Sequence, residues 1–450
     1  MTNSSAAVTL GRRVADRCFR VCDGRLRIGG IPVDEVAAEF GTPLFVYDRD
    51  VLERQWRLLR DVLPGDFEIY YSMKANPLQA ILRFFVERGS GIEVASTGEL
   101  HQALHAGCPA ERILFAGPGK TEAELETALA CEVDEIHAES LLEVDRIAAV
   151  SRRLGTCGRI SLRVNPTDEV QGGAMRMGGK PAPFGIDEER LADAVDHVEN
   201  THGVELQGVH LFTGTQILDA DVLAQQYRKA VDVAARVANQ VNRALRTIDF
   251  GGGLGVPYYP HETALDLRLL SRGAAEAVAL ARSHPLLRSA RLIVEPGRFL
   301  VAEAGVYLTR VNDIKTSRGR KFLVVDGGMH HHLAASGNLG QTIKRNFPVA
   351  LVMKMDQAES DLVDVVGPLC TPLDVLARKV AIPEPTVGDL FGVFLSGAYA
   401  RSASPLGFLS HPSAAEVWID GGEMRLARRR GEHDDFLRDQ VEFVPTGFYR

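Results

Sequence analysis

Tyr70-Tyr71-Ser72-Met73-Lys74-Ala75-Asn76-Pro77 carries a short β-prone run, Phe67 to Tyr71, into a lysine and then a stop. Proline lacks an N–H and biases the residue before it away from the helix, so Asn76-Pro77 marks a boundary. A lysine at the end of an apolar strand is expected to be partly desolvated, which lowers an ammonium pKa. An amine so placed can act as a nucleophile and form a Schiff base with a carbonyl group. A surface lysine that lays its stem along apolar neighbours fits the stretch equally well. The octapeptide alone leaves both readings open.

Outward from Lys74 a rhythm appears. Short apolar runs occupy Phe67–Tyr71, Gly91–Ala95, Arg112–Ala116, Glu135–Ala138, Arg159–Val164, Leu206–Phe212, Thr247–Phe250 and Arg291–Val294. Helical patterns lie between them at Leu78–Arg88, Thr97–Ala106, Thr121–Ala130, Ser140–Arg153, Glu188–Thr201, Asp221–Gln240 and Leu267–Arg282. Eight strands interleaved with helices predict a parallel α/β sheet, most simply a closed (β/α)8 TIM barrel over residues 49–305. An open doubly wound sheet is the alternative, because periodicity cannot register closure. Beyond residue 305 strand-like runs dominate: Val306–Val311, Lys321–Val325, Ala350–Met353, Asp361–Val366, Asp389–Leu395, Ala415–Ile419 and Glu423–Ala427. They predict a mostly β C-terminal domain over 306–450. Residues 14–48 hold a possible strand at Leu26–Ile28, a helix at Pro32–Phe40 and a strand at Pro43–Tyr47. Those strands have no sheet of their own in this reading, so 14–48 is expected to complete the β domain. A further helix should follow Asp48 or Asp50 and run through Arg60.

The 450 residues are 45% hydrophobic and 24% charged, an ordinary globular balance. A net charge of −8 argues against a nucleic-acid partner, which asks for a basic face. No apolar run reaches the roughly 18 residues of a membrane span, and Met1 to Arg13 lacks the apolar core of a signal peptide. Met1 to Ser5 is expected to fray. Six scattered cysteines without a C-x-x-C pair fit a reduced, cytoplasmic setting.

A barrel demands chemistry at the C-terminal ends of its strands and phosphate binding after the seventh and eighth. Unusual residues gather there. Asp249-Phe250-Gly251-Gly252-Gly253-Leu254-Gly255 is no dinucleotide fingerprint, since Val256 stands where the spacing needs glycine. The run suits an anion-binding nest or, more simply, a tight turn. Glu295-Pro296-Gly297-Arg298 supplies a carboxylate that can bond a protonated pyridine nitrogen; an exposed Glu–Arg pair would look the same. His210 ends an apolar strand, either as a structural histidine or stacked on a bound ring. Cys370, in Val366-Gly367-Pro368-Leu369-Cys370-Thr371-Pro372, is the cysteine with the context of a reactive thiol or proton donor. The other five cysteines sit in helical or ordinary strand patterns. His330-His331-His332 does not predict a metal site, because neighbours on a strand point in alternate directions. No metal is expected.

Together these motifs resemble the fold-type III pyridoxal-phosphate decarboxylases, the diaminopimelate, ornithine and arginine decarboxylase group with an alanine-racemase-like barrel. The resemblance spans about residues 25 to 440 and rests on Tyr-x-x-Lys-Ala-Asn, the triple glycine, Glu-Pro-Gly-Arg, Gly-Pro-x-Cys and Gly397-Ala398-Tyr399, in the family's order. It implies pyridoxal 5'-phosphate as cofactor and Lys74 as its Schiff-base lysine. It implies His210 stacked on the pyridine ring and Glu295 on its nitrogen. Gly252, Gly253, Gly297 and Arg298 would surround the phosphate, with a hydroxyl from Tyr399, and Cys370 would return a proton after CO₂ leaves. Family members are homodimers whose Cys and Tyr loops complete the partner's site, and the same is implied here.

Departures from the family pattern bear on substrate. Diaminopimelate enzymes follow the cysteine with a glutamate and ornithine enzymes with an aspartate, whereas this chain has Thr371. Ala334 and Asn338 stand near the positions of an arginine and a tyrosine that read a distal carboxylate. Glu93 replaces an aspartate near the cofactor. Met329-His330-His331-His332-Leu333-Ala334-Ala335-Ser336-Gly337-Asn338, with Cys370-Thr371-Pro372, looks like a natural-product subgroup, tied to antibiotic biosynthesis. Those enzymes decarboxylate an acidic aminoacyl group, glutamyl or aspartyl, held as a thioester on an acyl carrier protein. A free diamino acid such as meso-diaminopimelate is the alternative substrate. Three rivals fit less well. A racemase of this fold places arginine, not Glu295, at the ring nitrogen. A cofactor carrier protein would be a lone barrel, and an inactive homologue would lack Lys74 or Cys370.

Overall fold

The computed structural model describes residues 9–167, 175–176, 181–341 and 343–441, so Met1 to Ser5 lies outside the described residues. The chain divides into two compact units, Val51–Glu303 and Met1–Asp50 with Ala304–Arg450.

The first unit is a closed barrel of eight parallel strands, not an open sheet. They are β1 (Phe67–Ser72), β2 (Gly91–Val94), β3 (Ile113–Phe115), β4 (Glu135–Ala138), β5 (Gly158–Asn165), β6 (Val204–Leu211), β7 (Thr247–Asp249) and β8 (Arg291–Val294). Each pairs in parallel with the next in sequence, and β8 returns to β1 through Leu292↔Phe67 and Val294↔Ile69. Closure buries both faces of every strand, so the strands read as continuous apolar runs instead of alternating ones. Two glycines in the wall are steric requirements. A Cβ on Gly91 would meet the Tyr70 ring at 2.3 Å, and one on Gly208 would meet the Thr247 carbonyl oxygen at 1.8 Å.

Helix starts follow local capping chemistry. Ser96, Thr121, Ser140, Asp219 and Asp266 each cap the helix behind them by accepting backbone N–H groups, Thr121 in a capping box with Glu124. These caps fix where each strand–helix loop ends, and the site is built on those loops. At the opposite end of the strands, Arg291 bonds Glu68 and Asp134 at 2.7 to 3.0 Å, and Arg246 joins Asp134 at 2.7 Å. That end is given over to charge pairing.

In the second unit the strand order is 375–382, 361–366, 320–325, 305–317, 44–48, 415–420, 423–428. Strand Leu44–Asp48 lies inside the sheet, antiparallel to Gly305–Ser317 and parallel to Ala415–Asp420. The N-terminal segment therefore completes the β unit. One expectation is corrected: Arg25–Ile28 does have a sheet of its own, pairing with Arg20–Cys22 and Ile31–Pro32. Two of the elements that the sequence pattern does not show are helix Leu10–Cys18 and strand Val375–Ile382. Helix Leu10–Cys18 buries only Gly11, Val14, Ala15 and Cys18 in an otherwise polar segment. Strand Val375–Ile382 has Arg378-Lys379 at its centre, with Lys379 at φ 46° breaking the register.

Candidate active site

Lys74 lies in a single 3-10 turn, Met73–Ala75, directly after β1. Its side chain is 45% exposed, so desolvation is only partial. Nζ donates to both oxygens of Glu93 on β2, each at 2.9 Å. Glu93 is buried and also accepts from Ser72 Oγ at 2.5 Å. Beside it, Glu99 accepts the Ala95 N–H at 2.7 Å. Burial, reinforced by the charge of Glu93, pushes the Glu99 carboxyl up to about 7.

Four polar side chains converge among the strand ends. His210 ends β6 with its ring stacked on His137 of β4, centroids 4.3 Å apart. Its Nε2 faces Glu295 Oε2, just past β8, at 3.2 Å. His137 Nε2 lies 3.7 Å from Asp249 Oδ2, and its Nδ1 3.9 Å from Glu295 Oε1. Donor atoms of these four residues all fall within 4.8 Å of one another, so histidines and carboxylates do cluster, but not at His330–His332. Burial draws His210 well below the ordinary imidazole range, and Arg163 on β5 adds to that. Arg163 is held by Glu139 at 2.6 Å.

Glycines shape the rest of the rim. Gly251 N bonds Asp249 Oδ1 at 2.8 Å and turns the chain at φ 64°. A Cβ on Gly252 would meet the Glu295 carbonyl oxygen at 2.3 Å, and one on Gly253 the Gly214 oxygen at 2.8 Å. Gly297 packs against the lysine turn, since a Cβ there would lie 3.0 Å from Ala75 Cβ and 3.1 Å from Ser72 O. Arg298 follows, donating from Nη1 to Tyr258 Oη at 3.3 Å. Lys74, His210, Gly252, Gly253, Glu295, Gly297 and Arg298 thus meet at the C-terminal ends of the strands.

Cys370 and Tyr399 belong to the other compact unit. Cys370 is exposed in a turn; Asp374 accepts Leu369 N at 2.9 Å and Met329 N at 2.6 Å, tying that turn to Met329. Asn338 donates to Leu373 O at 3.1 Å in the same loop, whereas Ala334 is buried. Tyr399 sits at φ 52° in the Gly397-Ala398-Tyr399 turn. Of the other cysteines, Cys108, Cys131 and Cys157 lie in loops or turns and not in the expected elements.

His330-His331-His332 occupies a turn, not a strand, so alternation does not describe it. Its rings take separate partners. His331 bonds Tyr307 Oη at 3.0 Å and Pro412 O at 2.9 Å, and His332 bonds Ser396 Oγ at 2.9 Å. Sequence reasoning gave no role to His137, Asp249 or Arg163, although the strand ends carrying Asp249 and Arg163 stand out. Each is a polar residue in the last two or three positions of a barrel strand, the signal that marked His210.

Lysine, buried histidines, carboxylates and a glycine rim at the C-terminal ends of a parallel barrel define a cofactor-dependent enzyme of the TIM-barrel class. The sequence model described as "Pyridoxal-dependent decarboxylase, pyridoxal binding domain" matches residues 49–302. The chain belongs to this family of pyridoxal-phosphate-dependent carboxy-lyases. It is 38% identical to the L-glutamyl-(BtrI acyl-carrier protein) decarboxylase of Niallia circulans, over 91% of this chain and 96% of that one. It is 32% identical to the diaminopimelate decarboxylase of Aquifex aeolicus, over 93% and 96%. Among solved structures, the Helicobacter pylori diaminopimelate decarboxylase complexed with L-lysine superimposes with a TM-score of 0.81 at 28% identity, covering 90% of this chain and 98% of that one. No helix among the described residues is long and apolar enough to cross a membrane.

The residues present fit the family's cofactor. Both His210 nitrogens and Glu295 Oε1 are buried without a hydrogen-bond partner, the condition of groups shaped to meet a planar polar ring. The glycines let the triple-glycine and Glu295–Gly297 backbones approach closely, the construction a phosphate-binding rim of backbone N–H groups calls for.

Proposed function

We propose that this enzyme decarboxylates an acidic aminoacyl group, glutamyl or aspartyl, carried on an acyl carrier protein in a natural-product pathway. The observation that carries the substrate is the pair Ala334 and Asn338. By the family resemblance they stand near an arginine and a tyrosine that read a free distal carboxylate, and here they are a small buried residue and a loop-anchoring amide. A distal carboxyl already masked as a thioester needs no such reader. Similarity to a relative named for a glutamyl-carrier substrate, over nearly the whole chain, supports the same reading.

In this reading Lys74 holds the cofactor covalently, Glu295 faces the ring nitrogen, His210 covers one ring face, and Gly252, Gly253, Gly297 and Arg298 receive the phosphate. The cofactor, when bound, supplies the electron sink that accepts the pair left by departing CO₂. Glu93 keeps the Lys74 amine at the rim through its two 2.9 Å contacts. Cys370 Sγ returns a proton to the α-carbon and Tyr399 adds a hydroxyl to the phosphate, both from the second copy in a homodimer. The test is mass spectrometry of a glutamyl- or aspartyl-loaded carrier incubated with enzyme and pyridoxal phosphate. Loss of CO₂ from the loaded carrier, with little turnover of free amino acids, is the expected result. Robust turnover of free meso-diaminopimelate with an inert carrier would overturn it. Lys74→Ala should abolish both turnover and the visible absorbance of bound cofactor.

A further inference from the structure

Behind the residues assigned to the ring lies a second buried layer that the proposed reaction does not use. His137 and Asp249 are fully buried. With every carboxyl ionised, Asp249 Oδ2, Glu295 Oε1 and both nitrogens of His137 are left without hydrogen-bond partners. Each such orphan is costly to leave buried. Two carboxylates that only accept cannot satisfy each other, and their charges repel in a medium that screens poorly. A single proton removes both problems. Its position follows from the geometry. Gly251 N already occupies Asp249 Oδ1 at 2.8 Å, which leaves Oδ2 to carry a hydrogen, and carboxyl oxygens of Asp249 and Glu295 fall within 4.8 Å of each other in the buried cluster. Glu295 has His210 at 3.2 Å on its other oxygen and is the carboxylate left to face the ring.

We propose that Asp249 is a positioning residue that carries a proton on Oδ2 and donates it to Glu295, with a neutral His137 packed against both carboxyls and behind His210. The layer then holds one negative charge, presented by Glu295 at the ring nitrogen. Surrounding groups agree with this count. Burial, with the Glu295 charge adding to it, drives Asp249 well above the carboxylate range, and Glu135 pushes the same way. Burial draws His137 well below the imidazole range; His210, Lys120 and Arg163 add to that, and Glu295 opposes it. On His210, Lys74 also disfavours charge and Glu93 opposes it.

The inference rests on Glu295 being the ring-nitrogen residue, so it is tested on protein without substrate, where failure of the substrate assignment cannot imitate its failure. Infrared spectra of the cofactor-free full chain at neutral pH should contain a protonated-carboxyl stretch that moves when aspartate carboxyls are ¹³C-labelled. Asp249→Asn should remove that part of the band. Asparagine can keep the Gly251 contact through Oδ1 and donate to Glu295 through Nδ2, so cofactor affinity should stay close to wild type. Any aspartate signal that survives the substitution belongs to another carboxyl. An aspartate-insensitive band in wild type, or an unchanged one in Asp249→Asn, overturns the proposal. Should that variant not fold, wild type still decides: adding pyridoxal phosphate should shift the aspartate-sensitive band as Glu295 engages the ring, and an unmoved band refutes the shared proton.

Discussion

Gly252→Ala tests the construction of the glycine rim. The new Cβ would lie 2.3 Å from the carbonyl oxygen of Glu295 and 3.2 Å from its carbonyl carbon. That is roughly 1 Å inside ordinary contact, and the obstacle is backbone, which cannot rotate away. Either the triple-glycine loop or the Glu295-Pro296 segment must retreat. Overpacking of this kind costs about 1–3 kcal/mol. The retreat falls on residues assigned to ring and phosphate, so cofactor affinity should drop roughly 5- to 150-fold if the whole cost appears there. The assay is absorbance titration of apoprotein with pyridoxal phosphate, beside a thermal melt of the apoprotein. Gly98→Ala is the control at the same end of the barrel. Its Cβ would meet only Ser96 Oγ, at 3.7 Å, inside helix Thr97–His105, so affinity and melting should hold. If Gly252→Ala binds cofactor within about twofold of wild type and melts at the same temperature, close approach of the two loops is not what that glycine provides.

Other perturbations read other parts of the structure. Glu93→Gln leaves one acceptor oxygen for two donors, Ser72 Oγ and Lys74 Nζ; with Lys74 half in solvent, denaturant titration of apoprotein should find a loss of about 1 kcal/mol, and an unchanged midpoint would discard the contact as an organiser. Cys370→Ala should lower turnover ~10²-fold or more with cofactor absorbance intact, whereas undiminished turnover removes Cys370 from the proton step. Burial lowers His332 to about 3, far below its ordinary value. An unfolded chain therefore takes up a proton that the native state refuses, and stability falls as pH drops below about 6.5. Between pH 7 and 5 that is ~2 kcal/mol for this histidine. The pH dependence of urea unfolding should be shallower by that amount in His332→Asn, and parallel curves would refute it.

The α/β repeat was readable because both strand faces are buried, giving eight apolar runs separated by seven longer helical stretches; closure shows only in the pairing of β8 with β1. Site residues were readable where a polar side chain interrupts such a run at its end, as at His210 and Glu295. His137 carries the same signal beside ordinary-looking neighbours and Asp249 beside a glycine run that drew the reading to itself, and only the convergence of four strands shows that they meet. The environment of Lys74 stayed open for a similar reason. Strand position left both readings standing, because its partner Glu93 comes from the adjacent strand, a pairing that register fixes and local sequence does not. In the β unit, Val375–Ile382 was missed because an edge strand tolerates Arg378-Lys379, charges that an interior strand would have to bury.

Leu44–Asp48 sits at the centre of its sheet, yet its neighbours Gly305–Ser317 and Ala415–Asp420 are synthesised more than 250 residues later. A ribosome making this protein therefore extrudes an apolar strand, Leu44-Phe45-Val46-Tyr47, and must complete an entire barrel before either partner exists. During that interval the strand is an unpaired edge open to other nascent chains. Yield in a cell should accordingly depend on translation speed and chaperone supply more than the stability of the finished molecule would suggest.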